Sequence, residues 1–262
     1  MAEIQRGEDI RIQVREKYGA LAEGTDKGGG CCGAGSCSTV SLDQIGYTSD
    51  QAAAIPEGAD LGLGCGNPLA YAAVRPGETV LDLGSGAGID AFLASREVGD
   101  KGRVIGVDMT PAMLVRARAN AAKVGAQNVE FRLGEIEHLP VADGSVDVII
   151  SNCVINLSPD KPQVFREAMR VLKPGGRMLV SDLVLTKALP ESVRTSLEAY
   201  VGCVAGASMK ADYLRLIREA GFKDVEVVRE DSYGDKASCW DGMPAPLEAS
   251  AVVSAKVRAV KP

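Results

Sequence analysis

The sequence predicts an α/β protein built on a doubly wound, mostly parallel, seven-stranded sheet with helices on both faces. Three observations predict it. From residue 78 onward, short apolar segments rich in Val, Ile and Leu alternate with helical segments, the pattern of successive βαβ units. The first of these segments, "ETVLDLGSG", runs directly into a glycine turn, as a buried strand does where it hands over to a helix. The last two, "KDVEVVRE" and "ASAVVSAKVRAV", complete the sheet as closing antiparallel strands.

Taken in order, residues 9–21 place Ile10, Val14, Tyr18 and Leu21 on one stripe and predict a short amphipathic helix packed on the rest of the chain. A glycine- and cysteine-rich stretch, "GGGCCGAGSCS" at 28–38, follows, then an irregular segment reaching "GLGCGNPLAYAAV" at 62–74. Strand one lies in "ETVLDLGSG", and "GIDAFLASREVG" is a helix stopped by Gly99. "GRVIGVDM" is strand two. The next helix, "TPAMLVRARANAAKVG", has Thr110 at its N-cap, Pro111 in its first turn and Gly125 at its end. "NVEFRLGEIEHLP" carries strand three and "SVDVIISNCVIN" strand four; "KPQVFREAMRVLKPGG" is helical and "RMLVSDLVL" is strand five. Residues 187–221 read as helices. The expected organisation is an N-terminal helix and cysteine-rich segment over 1–70, a core over 71–186, and a helical insertion with closing strands over 187–262.

Composition narrows the function. Net charge is −6 with 46% hydrophobic and 24% charged residues, ordinary for a soluble globular chain. No clustered Lys/Arg face is present for phosphate neutralisation, so nucleic acid is not an expected partner. The first residues lack the apolar core of a signal peptide and no run suits a membrane span, so a cytoplasmic, membrane-free protein is expected, and a monomer is the expected state. Seven cysteines in a reducing compartment argue against structural disulfides, and the odd number spoils a closed framework. The single histidine, His138, leaves little room for a Ser-His-Asp triad.

The glycine turn "LDLGSGAGID" has Gly84, Gly86 and Gly88, with Asp82 two residues ahead and Ser85 inside the turn. It departs from the dinucleotide G-x-G-x-x-G pattern because Ile89 stands at the third position. The next strand ends in Asp108, twenty residues past Gly88, where an acid can accept from two ribose hydroxyls. Glu135-Ile136-Glu137 follows strand three, where the edge and face of a purine would lie. These three matched strand ends resemble the class I S-adenosylmethionine-dependent methyltransferases, whose Rossmann-like fold and cofactor the resemblance implies. It implies that Asp82, Gly84, Ser85, Gly86, Gly88, Asp108, Ile136, Glu137 and Asn152 contact S-adenosylmethionine. Met109 either packs on adenine or fills the core.

The cysteines raise a separate question. Cys153, in "SNCVINL", ends strand four, where ligands of open α/β sheets sit. Asn152 and Asn156 share its turn. Cys203 lies in "YVGCVAGA" within the insertion, and Cys65 lies between glycines just before strand one. Buried small hydrophobe is the default role of a free cysteine. Zinc is disfavoured because no C-x-x-C pair preforms half a tetrahedron, and the same absence speaks against a redox pair. A soft trivalent acceptor fits better: arsenic(III) takes three thiolates in a pyramid and keeps a lone pair, so its alkylation needs no general base.

With "GLGCGNP", "LDLGSGAGID", "VIGVDMT", "SNCVINL" followed by "PDK", and "GCVAGA", the sequence resembles the arsenite S-adenosylmethionine methyltransferases from about residue 31 to 230. The resemblance implies that Cys153 and Cys203 hold trivalent arsenic throughout, as arsenite or its thiol conjugate. It further implies that Cys65 and an N-terminal cysteine complete the site and then form a disulfide, reset by thioredoxin or another thiol reductant. The N-terminal partner is Cys31, Cys32 or Cys37, with Cys37 favoured by its nearness to Cys65. The vicinal pair Cys31-Cys32 either gathers arsenite or is a solvated loop. The competing expectation is a methyltransferase for a small organic molecule in which the cysteines are structural.

Overall fold

The computed structural model describes residues 2–24, 41–233, 248 and 250–262. Cys31, Cys32, Cys37 and Cys239 lie outside the described residues, and with them the expected N-terminal thiol.

Among the described residues, seven strands form one sheet in the order β3-β2-β1-β4-β5-β7-β6. They are β1 (Thr79–Leu83), β2 (Arg103–Asp108), β3 (Val129–Leu133), β4 (Val146–Asn152), β5 (Leu172–Leu185), β6 (Lys223–Ser232) and β7 (Val252–Val260). Every pairing is parallel except those of β7, which runs antiparallel to both neighbours. Helices cross over between β1 and β2, between β2 and β3, and between β4 and β5, whereas β3 passes to β4 without a helix. The order reverses between β1 and β4, so the crevice beyond their carboxyl ends is the place where this architecture binds ligands.

The helices are α1 (Ala2–Glu23), α2 (Ser49–Ala54), α3 (Leu69–Ala72), α4 (Ile89–Val98), α5 (Pro111–Val124), α6 (Lys161–Val171), α7 (Glu191–Arg194), α8 (Leu197–Val201) and α9 (Lys210–Glu219). Alternation along the strands separates two cores. Leu81, Leu83, Ile149, Met178 and Val180 face α6 and α9 through Phe165 and Tyr213, whose rings meet edge to face at 5.5 Å. Val80, Val104, Val148, Ile150 and Leu179 face α4 and α5 through Phe92, Leu93 and Leu114. A third cluster gathers Val14 of α1, Leu157, Leu183, Leu185, Val193, Ala199 and Val204 with Cys65, Cys153 and Cys203. It is the core of the insertion, and the described thiols sit inside it.

Several local expectations hold in detail. Gly125 ends α5 in the left-handed conformation, and Gly99 ends α4 at φ 64°. Others shift. The stripe through Ile10, Val14 and Tyr18 belongs to a longer helix than 9–21, and the segment expected to be irregular before residue 74 contains α2 and α3. The helix before β5 ends at Val171 rather than running through "KPGG". Leu172 already pairs with Val146, and the register then slips before Arg177 pairs with Val148. Pro174 and two glycines break the helix, while Lys173 is drawn to Asp147 at 2.7 Å, so these residues form an irregular start to β5. Thr110 occupies the N-cap of α5 but makes no side-chain capping bond.

Candidate functional site

At the switch point, the turn after β1 is a run of positive φ angles at Gly84, Gly86 and Gly88 (65°, 51° and 102°). The three glycines do different work. A Cβ on Gly84 would strike Val154, and one on Gly88 would come within 2.6 Å of Phe92 and 3.0 Å of Phe131. A Cβ on Gly86 would meet nothing within 4 Å. Gly86 therefore faces open space where a ligand can approach the backbone. Gly88 is a packing glycine at the N-cap of α4 and lies outside the cavity lining. The other positions expected to touch the cofactor, Asp82, Gly84, Ser85, Gly86, Asp108, Met109, Ile136, Glu137 and Asn152, all line one cavity at the switch point.

Three carboxyl groups converge beneath the turn. Asp82 is buried, and among the described residues its Oδ2 has no hydrogen-bond partner, nor does Ser85 Oγ. Burial, with Asp90 and Asp108 nearby, pushes Asp82 well above the usual carboxylate range. Burial also raises Asp90, to about 6, against the opposing effect of donors Tyr47 and Asn152. Asp108 accepts from the Gly86 N–H at 2.9 Å and from the Thr110 N–H at 2.8 Å, yet burial still raises it. The Thr110 side chain adds a third bond to this carboxylate, which leaves a lone pair for a donor in the cavity. Crowded carboxyls, two orphaned polar atoms and one open glycine suit a ligand that carries positive charge and hydroxyl donors.

Two expected contacts are already engaged within the protein. Glu137, buried at 3%, accepts from Arg11 at 3.2 Å and from Ser158 Oγ at 2.6 Å. Glu135 pairs with Arg11 and Arg15. These carboxylates dock α1 across the cavity, which Arg11, Val14 and Tyr18 help to line. Asn152 is a brace. Its Nδ2 reaches Gly66 O at 2.7 Å, Tyr47 Oη at 3.1 Å and Asp90 Oδ2 at 3.1 Å, while its Oδ1 accepts from the Cys65 N–H at 3.1 Å. Tyr47 and Asp90, joined at 2.7 Å, escaped the sequence reading because no local motif marks them.

Cys65, Cys153 and Cys203 are all free and buried. The Cys203 Sγ donates to the Cys153 carbonyl at 2.9 Å, and Cys65 Sγ to the Ser181 carbonyl at 3.4 Å. Hydrogen bonding to Cys203 and then Cys65, together with burial, pushes the Cys153 thiol well up. Cys153 alone of the three lines the cavity. Both Cys153 and Cys203 have left-handed backbones, φ 60° and 65°, a conformation that side chains with a Cβ avoid. Among the described residues no three His, Cys, Asp or Glu stand in a metal-holding arrangement. The thiols are thus neighbours around Cys153 and not a finished tripod. His138 is exposed and outside the cavity lining.

Beside the thiols, Asp182 is fully buried and accepts from Asn156 at 2.9 Å and from Tyr213 Oη at 3.1 Å. Burial raises its carboxyl to about 7, against the attraction of Lys161. No helix among the described residues is long and apolar enough to cross a membrane.

A family model described as a methyltransferase domain matches residues 75–221. An arsenite methyltransferase of Halobacterium salinarum is 52% identical over 247 residues, 89% of this chain and 62% of that protein. One from Aquipseudomonas alcaligenes is 46% identical over 174 residues, 64% of this chain and 50% of the relative. The chain thus spans about half to three fifths of the length of these curated relatives. The solved arsenic(III) S-adenosylmethionine methyltransferase of Chlamydomonas reinhardtii superposes with a TM-score of 0.64 and 36% identity, over 83% of this chain and 71% of that one. A methyltransferase model over more than half of the residues, together with that solved relative, establishes that this chain belongs to the arsenite S-adenosylmethionine methyltransferase family.

Proposed function

We propose that this chain transfers a methyl group from S-adenosylmethionine to trivalent arsenic held by cysteine thiolates. The observation that carries the reading is the meeting of Cys65, Cys153 and Cys203, from three distant segments, where Cys153 borders the ligand cavity. S-adenosylmethionine, when bound, supplies a methyl group on a positively charged sulfur.

The chain's residues fit that cofactor. Asp108 offers its remaining lone pair to the ribose hydroxyls, Gly86 admits the ligand against the backbone, and Met109 and Ile136 supply apolar walls. Asp82 and Ser85 offer unpartnered oxygens to an amino group, and the crowded carboxyls favour a cation. Glu137 and Asn152 act through others: Glu137 holds α1, and Asn152 holds the Cys65 loop against the seam.

On the acceptor side, Cys153 and Cys203 hold arsenic throughout, and binding draws Cys65 in to complete a pyramid. The arsenic lone pair forms the As–C bond as the C–S bonding pair leaves with the thioether sulfur. No proton moves, so no general base is required, consistent with an exposed His138. Catalysis is then chiefly positioning. The pentavalent product regains two electrons when Cys65 and an N-terminal thiolate, Cys37 in preference to Cys31 or Cys32, leave as a disulfide. Thioredoxin or a similar dithiol reduces that disulfide by exchange. The free thiols suit the reducing cytoplasm, where the chain is taken to work as a monomer.

The test is incubation with methyl-labelled S-adenosylmethionine, arsenite and a dithiol reductant. Label is expected on arsenic, and Cys153→Ser and Cys203→Ser are each expected to remove at least 99% of it, roughly the hundredfold effect of displacing a reactant by an ångström, with cofactor affinity unchanged. Normal turnover in either variant would return the cysteines to the core and favour a small organic acceptor.

A further inference from the structure

The cysteine loop is gripped from behind by a group the chemistry above does not use. Lys256 lies on β7, an interior strand of the sheet, and is only 4% exposed. An ammonium in such a place is unfavourable unless it is paired and well bonded. Its Nζ donates to Asp231 Oδ2 on β6 at 2.8 Å and to Ser254 Oγ at 2.9 Å. Ser254, two residues away on the same face of the strand, passes the contact on: its Oγ donates to the Cys65 carbonyl at 2.8 Å.

Lys256 also touches the loop itself. A Cβ on Gly66 would lie 2.8 Å from Lys256 Cε and 3.1 Å from Nζ, and would overlap Ser181 Oγ. Ser181 stands directly opposite Lys256 in the β5–β7 register, and its carbonyl accepts from Cys65 Sγ. The Cys65 carbonyl is thus held by Ser254, its N–H by Asn152, and the following residue rests on the lysine stem.

We propose that Lys256, acting through Ser254, is a positioning residue for Cys65 and sets where that sulfur stands when the third arsenic ligand is supplied. The proposal rests on the arsenic reading above, in which inorganic arsenite needs three thiolates and a monomethylated arsenic(III) only two. The bridge therefore governs the first methylation and is nearly silent in the second.

The experiment uses the full chain carrying Lys256→Met, which keeps the stem and removes the charge, and Ser254→Ala, which removes only the relay. Rates are measured with arsenite and with monomethylarsenite, and the alkylation rate of the Cys65 peptide is measured by mass spectrometry relative to the Cys153 peptide. Lys256→Met is expected to slow arsenite methylation about tenfold, the scale of one lost charge-assisted hydrogen bond. Monomethylarsenite should stay within about twofold, and Cys65 should alkylate several times faster relative to Cys153. Ser254→Ala should move both readouts the same way by about threefold. Equal losses on both substrates with an unchanged alkylation ratio would make the bridge merely structural and overturn the proposal, as would no change in either variant. If the wild-type chain puts no label on arsenic, the functional reading falls, and the alkylation ratio alone still decides whether Lys256 positions Cys65.

Discussion

Replacing Cys153 or Cys203 by Ala and by Gly separates the backbone from the sulfur. Both substitutions remove the thiol, so their difference reports the Cβ alone. At an ordinary buried position glycine is worse than alanine by roughly 1–2 kcal/mol, from lost unfolded-state restriction and one lost buried carbon. At φ 60° and 65° the Cβ is itself unfavourable, by about 1–2 kcal/mol per residue. The two effects nearly cancel. The Gly variants are therefore expected to lie within about 1 kcal/mol of the Ala variants in stability. Urea unfolding without cofactor measures this directly. An Ala variant more stable than its Gly counterpart by more than about 1 kcal/mol at both positions would show that the left-handed backbone is not held in solution. It would also refute the view that these cysteines are kept against a backbone preference for their sulfurs' sake.

Gly88→Ala should destabilise the fold by about 3 kcal/mol, because its Cβ meets two aromatic rings at an unfavourable φ. Gly86→Ala should lose only about 1 kcal/mol but weaken cofactor binding more than tenfold; unfolding curves and titration calorimetry would expose the reverse order. Asp90 is raised to about 6, so the folded chain keeps a proton that the unfolded chain releases. Its stabilising contribution is complete below pH about 4 and disappears as pH rises through 6. Asp90→Asn should flatten that part of the thermal-stability profile, and an unaltered slope would contradict the assignment. Arg11→Ala should leave buried Glu137 with its Ser158 bond but without its ion-pair partner. Faster proteolysis within α1 and a raised KM for S-adenosylmethionine are the expected results, and an unchanged digestion pattern would count against docking of α1 by this pair.

How much of this was legible in the sequence depends on the range of the interaction. The strands, the glycine turn, Asp108 and the thiols at 65, 153 and 203 could be read, because strand, turn and ligand chemistry is written in neighbouring residues. Gly88 was read as a ligand contact because a glycine needed for packing looks the same as one needed for approach; only Phe92 and Phe131 tell them apart. Glu137 and Asn152 stood out as polar residues at strand ends, yet their partners, Arg11 and Cys65, lie 126 and 87 residues away. Tyr47, Asp90 and Lys256 carry no local signal at all. Nor does positive φ at a cysteine, since only Gly, Asn and Asp ordinarily announce it.

The reversal of strand order between β1 and β4 has a further consequence. The glycine turn and the carboxylates suited to the methyl donor of the proposed function hang from β1, β2 and β3, whereas the sulfurs belong to the half built on β4, β5 and β7, with Cys65 lashed to that half through Asn152 and Ser254. The two halves share a seam one strand-pair wide. Under the proposed function, the thiol-bearing half touches the donor pocket through Val154 against Gly84 and Asn152 on Asp90, so the acceptor's soft element is best retuned in that half with these two contacts kept.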